Sequence, residues 1–170
     1  MKGARLARAL AVALLAFATY LAFTGSATGY DLVTGAIAAA VTGYLFSNVT
    51  ISNPRKILQP SRWYYLAKYA ARYFTIDETK AHVDVIKRIL HPRVPVNPAI
   101  VEVPFEVRSD YAVTATANSI TNTPGTVVVE VDEARRRFYV HWIDAKTLDP
   151  ARAREEISKT FEEYCAKIFE

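Results

Sequence analysis

Residues 9–54 read ALAVALLAFATYLAFTGSATGYDLVTGAIAAAVTGYLFSNVTISNP, two uncharged apolar stretches separated only by Asp31. Ala9–Tyr30 and Leu32–Pro54 each hold about 22 residues, close to the roughly 20 a helix needs to cross a bilayer. Backbone groups left unpaired in lipid are costly, so segments of this kind must be helical. A secretory signal is the alternative for the first stretch, which has a basic start, an apolar middle and small residues at Gly25-Ser26-Ala27. The second stretch follows at once, so cleavage there would still leave an anchor.

The spans are placed at about residues 6–24 and 31–49, joined by a short linker at Gly25–Gly29, which predicts a tight antiparallel hairpin. Gly35, Ala39 and Gly43 recur every four residues on one face of the second helix. Such a face lets a neighbouring helix approach closely in lipid, and a helix with few large side chains suits burial among other membrane subunits. Ser52-Asn53-Pro54 ends the span. Only Lys2, Arg5, Arg8 and Asp31 are charged in residues 1–53, so the whole-chain hydrophobic fraction of 51% averages two unlike halves. The net charge of +4 is modest, and basic residues flank the hairpin at Lys2, Arg5, Arg8 and at Arg55, Lys56, Arg62. Basic residues beside spans mark the cytoplasmic side. That reading is favoured over nucleic-acid binding. It puts both ends of the hairpin, and the soluble region after it, in the cytoplasm. One cysteine, Cys165, excludes an internal disulfide framework.

Residues 61–90 predict a long helix between Pro60 and His91-Pro92, aromatic in its first half (Trp63, Tyr64, Tyr65, Tyr69, Tyr73, Phe74). Trp and Tyr favour the membrane interface. Lys68, Arg72, Asp77, Glu78 and Lys80 make a free-standing third span costly, at roughly 2.5–3.5 kcal/mol per central charge. A helix lying along the surface is favoured, with a span shielded by partners as the alternative. Arg93–Pro98 is a stiff linker. Beyond it the pattern predicts a strand over 100–107 with Pro104 pushing it to an edge, a helix capped by Ser109-Asp110 and a turn at Thr123-Pro124-Gly125. A β-branched strand over 126–131, a hairpin partner over 137–143 and a closing helix from Asp149-Pro150 follow. Ala153, Ile157, Phe161, Tyr164 and Ile168 line one face of that helix. The fold class is a membrane α-helical hairpin plus a small α+β soluble domain of order β-α-β-β-α. It divides as hairpin 1–53, interfacial helix 54–92 and soluble domain 93–170.

Chemistry-bearing residues are sparse. His82, His91 and His141 have no metal-ligand spacing, and Ser109, Ser119 and Ser158 lack a nucleophile context. Glu155-Glu156 and Glu162-Glu163 read as a solvated helix face. Arg135-Arg136-Arg137 suits lipid headgroups, an acidic partner or a plain charged turn. Neither span holds a charged residue in its interior, Asp31 falling at the hairpin tip, and intramembrane ionisable residues usually mark ion pathways. No catalytic, cofactor-binding or metal-ligating residue is therefore assigned, and no cofactor.

Asn97-Pro98-Ala99-Ile100, the run Asn118-Ser119-Ile120-Thr121-Asn122-Thr123-Pro124-Gly125-Thr126, Phe138–Asp144 (FYVHWID) and the ending Lys167-Ile168-Phe169 resemble the E subunit of Mrp-type (Mnh-type) multisubunit Na+/H+ antiporters. The resemblance runs over nearly the whole chain, including Ala81-His82-Val83-Asp84-Val85-Ile86. It implies a small membrane subunit of a larger cation/proton antiporter, without catalytic residues of its own. Archaeal membrane-bound hydrogenases and sulfur-reducing respiratory complexes carry similar subunits in their ion-translocating modules. Residues 61–90 are more polar than in many bacterial relatives, which favours the archaeal respiratory type. The expected partners are other membrane subunits and lipid. The alternative is a membrane-anchored module whose soluble domain docks a cytosolic partner; an anchored enzyme lacks any nucleophile–base pair or metal cluster to support it.

Overall fold

The computed structural model describes residues 2–50, 53, 56 and 58–170, with the side chains of 2–4 and 48–50 outside that description. Ser52 and Pro54 of the expected span end, and Arg55 of the second basic cluster, lie outside the described residues. The chain forms two compact units, residues 1–59 and 60–170.

In the first unit, helix α1 (Lys2–Thr24) and helix α2 (Gly29–Thr50) pack as a hairpin. Both contain apolar segments long enough to cross a membrane, Arg5–Thr24 and Gly29–Ser47. The small-residue face of α2 is used within the hairpin itself. A Cβ on Gly43 would lie 2.5 Å from the Ala9 carbonyl oxygen and 2.9 Å from the Ala13 Cβ. One on Gly35 would lie 2.7 Å from the Tyr20 ring, and Ala39 and Val12 are buried. The Tyr20 hydroxyl and Thr34 Oγ1 are 2.8 Å apart and form a hydrogen bond across the same seam. Gly25 takes φ +63 as α1 ends, a conformation in which a side chain is strained. Asp31, the one acidic residue here, is a helix cap: its Oδ2 accepts from the Thr28 N–H at 3.1 Å and from the Ser26 and Thr28 hydroxyls at 2.6 Å each. The Thr28 hydroxyl in turn accepts from the Asp31 N–H, the reciprocal arrangement that satisfies the free donors of a first helical turn. Leu10, Leu14, Phe23, Ile37 and Leu45 point outward, exposed.

The second unit opens with a continuous helical run, α3 (Pro60–Arg72), a π-turn (Tyr73–Asp77) and α4 (Glu78–Leu90). Strand β1 (Ala99–Pro104), helix α5 (Asp110–Asn122), strands β2 (Thr126–Asp132) and β3 (Arg137–Trp142), and helices α6 (Pro150–Ile157) and α7 (Lys159–Phe169) follow. The sheet is antiparallel with order β1-β3-β2, so β1, which carries Pro104, lies at an edge. Where one closing helix is expected, Ser158 (φ −116, ψ −26) separates two segments. The kink puts Cys165 rather than Tyr164 among the fully buried residues. Ser109 and Asp149 accept from the N–H groups of Ala112 and Arg152, as their positions predict.

One face of the sheet is covered. Val101, Val103, Phe138, Val140 and Trp142 pack with Ala112 and Ile120 of α5 and with Ala153, Ile157, Phe161 and Cys165 of α6–α7. Each large side chain buried there contributes about 1.5–3 kcal/mol. The opposite face carries the rows Ile100–His141–Val127 and Glu102–Tyr139–Glu130, half-buried or exposed, and a bulge interrupts β2 between Val128 and Glu130.

Candidate functional site

Strand β1 ends at Pro104, three residues earlier than the alternation predicts, because residues 105–109 give their backbone donors to distant groups. The Phe105 N–H reaches the Arg136 carbonyl at 3.0 Å. Those of Glu106 and Val107 both donate to Oε1 of Glu162, and those of Arg108 and Ser109 to Oε1 of Glu170. Arg136 donates to the carbonyls of Glu106 and Val107. Five consecutive N–H groups outside regular structure are thus paired, as buried backbone requires. Glu162 is 3% exposed and its second oxygen accepts from Arg154 Nε at 3.1 Å. The expectation that Glu162 belongs to a solvated face is therefore wrong. The helical period places it correctly on α7, but a carboxylate aimed at an approaching loop has no local sequence signal.

These groups border a cleft of about 740 Å³. Its arginines other than Arg108 are already engaged. Arg154 also pairs with Glu106 (3.3 Å), Arg137 pairs with Glu102, and Arg135 lies 3.8 Å from Asp132. The basic run at the β2–β3 turn therefore serves this chain's own carboxylates and carbonyls.

Two further sets of contacts hold the unit together. Tyr69 and Tyr73 project from the helical run into a seam with Phe161 and Tyr164 of α7, and Tyr69 stacks on Tyr164 at 5.3 Å. The Tyr69 hydroxyl meets the Ser119 hydroxyl, and Tyr73 bonds to the Ser119 carbonyl and the Thr123 hydroxyl. Burial pushes Tyr69 well above the usual phenol range and Tyr73 up to about 12. At the other end Arg88 reaches Asp84 (2.8 Å), Asp144 (2.8 Å) and the Pro95 carbonyl (2.8 Å), tying α4 to the proline-rich connection and the exit of β3. The i, i+4 pair Asp84–Arg88 is readable from spacing; its third partner is not.

The three histidines are apart. His82 lies 3.1 Å from Glu78, His91 accepts from the Arg93 N–H, and His141 sits in the exposed sheet row. Among the described residues no three of His, Cys, Asp or Glu are grouped to hold a metal. Burial raises the Cys165 thiol above its usual range.

A sequence profile described as Na+/H+ ion antiporter subunit matches residues 13–168. The chain belongs to the family of Na+/H+ antiporter E subunits. An Na(+)/H(+) antiporter E1 subunit of Staphylococcus haemolyticus (strain JCSC1435) is 31% identical, over 79% of this chain and 80% of the relative. One from Staphylococcus aureus (strain JH9) is 32% identical over 63% of this chain and 69% of its own length. Among solved structures, a chain of the membrane-bound sulfane sulfur reductase, an archaeal respiratory membrane complex, superposes with a TM-score of 0.81. It shares 32% identity and is matched over 96% of this chain and 99% of its own. The Staphylococcus relatives are antiporter subunits by name, and this E-family chain carries two apolar helices long enough to cross a membrane, followed by a small α/β region.

Proposed function

We propose that this E-family chain is a non-catalytic, structural subunit in the ion-translocating module of a multisubunit Na+/H+-antiporting complex of the archaeal respiratory type. The observation that carries the reading is the likeness to a chain of the sulfane sulfur reductase complex, which extends over 96% of this chain and 99% of that one. The spans support a supporting role. Their interior is packed by glycine, alanine and hydroxyl contacts, and Asp31 caps the hairpin tip.

In this reading residues 1–53 hold the chain in lipid, 54–92 form an interfacial layer and 93–170 a soluble domain. The domain is of β-α-β-β-α order, with α6 and α7 as one broken closing helix. Basic residues on both sides of the hairpin favour a cytoplasmic soluble domain. The other subunits are its partners. Purification of the tagged chain from native membranes in mild detergent tests the reading. Stoichiometric recovery of several other membrane proteins, including antiporter-like subunits, is expected; a stable lone monomer overturns it. An impermeant thiol reagent on Glu133→Cys, in the exposed β2–β3 turn, tests orientation, and labelling of intact cells from outside reverses the assignment.

A further inference from the structure

The helical run 60–90 has two different faces. Its inner face is committed: Tyr65, Tyr69, Tyr73, Ala81, Val85 and Arg88 are half-buried, and the arginines on it are matched, Arg72 to Asp77 and Arg88 to Asp84 and Asp144. The outer face carries Phe74 (71% exposed), Val83, Ile86 and Leu90 (77% exposed). Beside them stand Lys68, Lys80 and Lys87, and none has a carboxylate within ion-pair distance among the described residues. Asp84, the acid between Lys80 and Lys87 on α4, has both oxygens on Arg88. At the π-turn this face holds a groove of about 510 Å³ lined by Ile76 and Val83, by Thr75 and Thr79, and by Lys80 and Lys87, with Asp84 between the two lysines in sequence.

We propose that this outer face docks on an anionic phospholipid surface. The apolar stripe enters the headgroup–acyl boundary, and Lys80 and Lys87 take a phosphate-bearing headgroup over the π-turn groove. The inference deepens, and rests on, the reading of the chain as a membrane-held subunit with an interfacial layer at 54–92. Three observations select lipid over protein. Exposed aliphatic and aromatic side chains flanked by basic ones are the composition of a helix lying in a bilayer interface. Lysine is depleted where proteins meet proteins, and three unpaired lysines would lose hydration there with nothing in return. The chain between Thr50, the last residue of α2, and Pro60 is short. Extended, the nine intervening residues let Pro60 lie at most about 35 Å from Thr50, which keeps the first turn of α3 within reach of any bilayer that holds α2.

The test uses the full chain reconstituted in vesicles of phosphatidylcholine alone or with phosphatidylglycerol. An environment-sensitive fluorophore is placed on Val83→Cys or, as reference, on Glu133→Cys, and nitroxide lipids are the quencher. The Val83 label is expected to shift to the blue and be quenched in the anionic vesicles, and much less in the neutral ones; the Glu133 label stays in water. Each Lys→Gln change at 68, 80 and 87 is expected to weaken docking about fivefold, and the triple variant about a hundredfold. Equal quenching of the two labels, or undiminished docking of the triple variant, overturns the proposal. So does a Val83 label in the assembled complex that is shielded from lipid by another subunit. Resistance of the same vesicles to alkaline carbonate reports the hairpin separately, so loss of docking is distinguishable from loss of the membrane-subunit reading.

Discussion

Replacing Gly43 by alanine tests whether the hairpin interior is as close-packed as the geometry requires. A Cβ there meets the Ala9 carbonyl oxygen at 2.5 Å and the Ala13 Cβ at 2.9 Å. Neither obstacle is a flexible side-chain end, so α1 and α2 must separate by several tenths of an ångström along the seam. Overpacking of this kind costs about 1–3 kcal/mol. It opposes the gain of up to about 1 kcal/mol that alanine gives over glycine in a helix interior. Gly29, where an added Cβ would have nothing within 4 Å, is the control. Fluorophores at Leu6→Cys and Phe46→Cys, two exposed sites, report hairpin separation by energy transfer during an SDS titration of the full chain in mixed micelles. Gly43→Ala is expected to shift the midpoint to lower SDS by about 1–2 kcal/mol net, and Gly29→Ala to leave it within about 0.5 kcal/mol. A Gly43→Ala hairpin as stable as the Gly29→Ala one would refute the argument.

Glu162→Gln removes the charge that holds Arg154 and weakens the acceptor of two backbone donors; because Arg154 keeps Glu106, the loss is about 2–4 kcal/mol, read by thermal denaturation, with exposed Glu163→Gln as the neutral comparison. Alkaline stability follows from the seam: Tyr69 and Tyr73 stay neutral in the fold while the unfolded chain ionises from about pH 10. Unfolding there releases protons, and stability falls as pH rises from about 10 towards 12 and above; Tyr69→Phe with Tyr73→Phe should flatten that limb of a denaturation–pH profile. Cys165, fully buried with a raised thiol pKa, should react with a water-soluble maleimide only after denaturation, and rapid modification of the native chain would contradict its placement.

What the sequence made readable was local. Ser109 and Asp149 are caps by residue type and position, and the apolar spans and the β-branched runs follow from length and alternation. Gly35, Ala39 and Gly43 mark a close-approach face, but the partner is α1, and spacing alone does not name a partner. Glu162 escaped for a different reason: the N–H groups it satisfies are 55 and 56 residues away, and on its own helix it looks like any charged residue beside Glu163. The aromatic cluster at 63–74 suggested one interface. It contains two, because Tyr65, Tyr69 and Tyr73 share a face that the soluble unit covers while Tyr64 and Phe74 do not. The i, i+4, i+8 spacing of Tyr65, Tyr69 and Tyr73 marks one face of the helix without saying what covers it, and beyond Tyr73 that face can be followed only by knowing where the helix departs from α geometry.

That departure sets the register of the whole run. The inward residues Arg62, Tyr65, Tyr69, Tyr73, Asp77, Ala81, Val85 and Arg88 follow steps mostly of four, which outruns an α-helix of 3.6 residues per turn. A π-turn takes one more residue per turn and removes about 100° of the drift, so Arg88 still faces Asp144 and Val85 stays half-buried. Deleting exposed Thr75 removes the surplus residue and leaves both flanks aligned as a plain α-helix. Thermal stability should change by no more than about 1 kcal/mol. Deleting Thr79 as well turns α4 by about 100°, withdraws Arg88 from Asp144, and should cost at least about 3 kcal/mol. Arg88→Ala separates the cases, since it destabilises the single deletion as it does the parent and adds nothing to the double. If one deletion is as damaging as two, the π-turn holds something other than register.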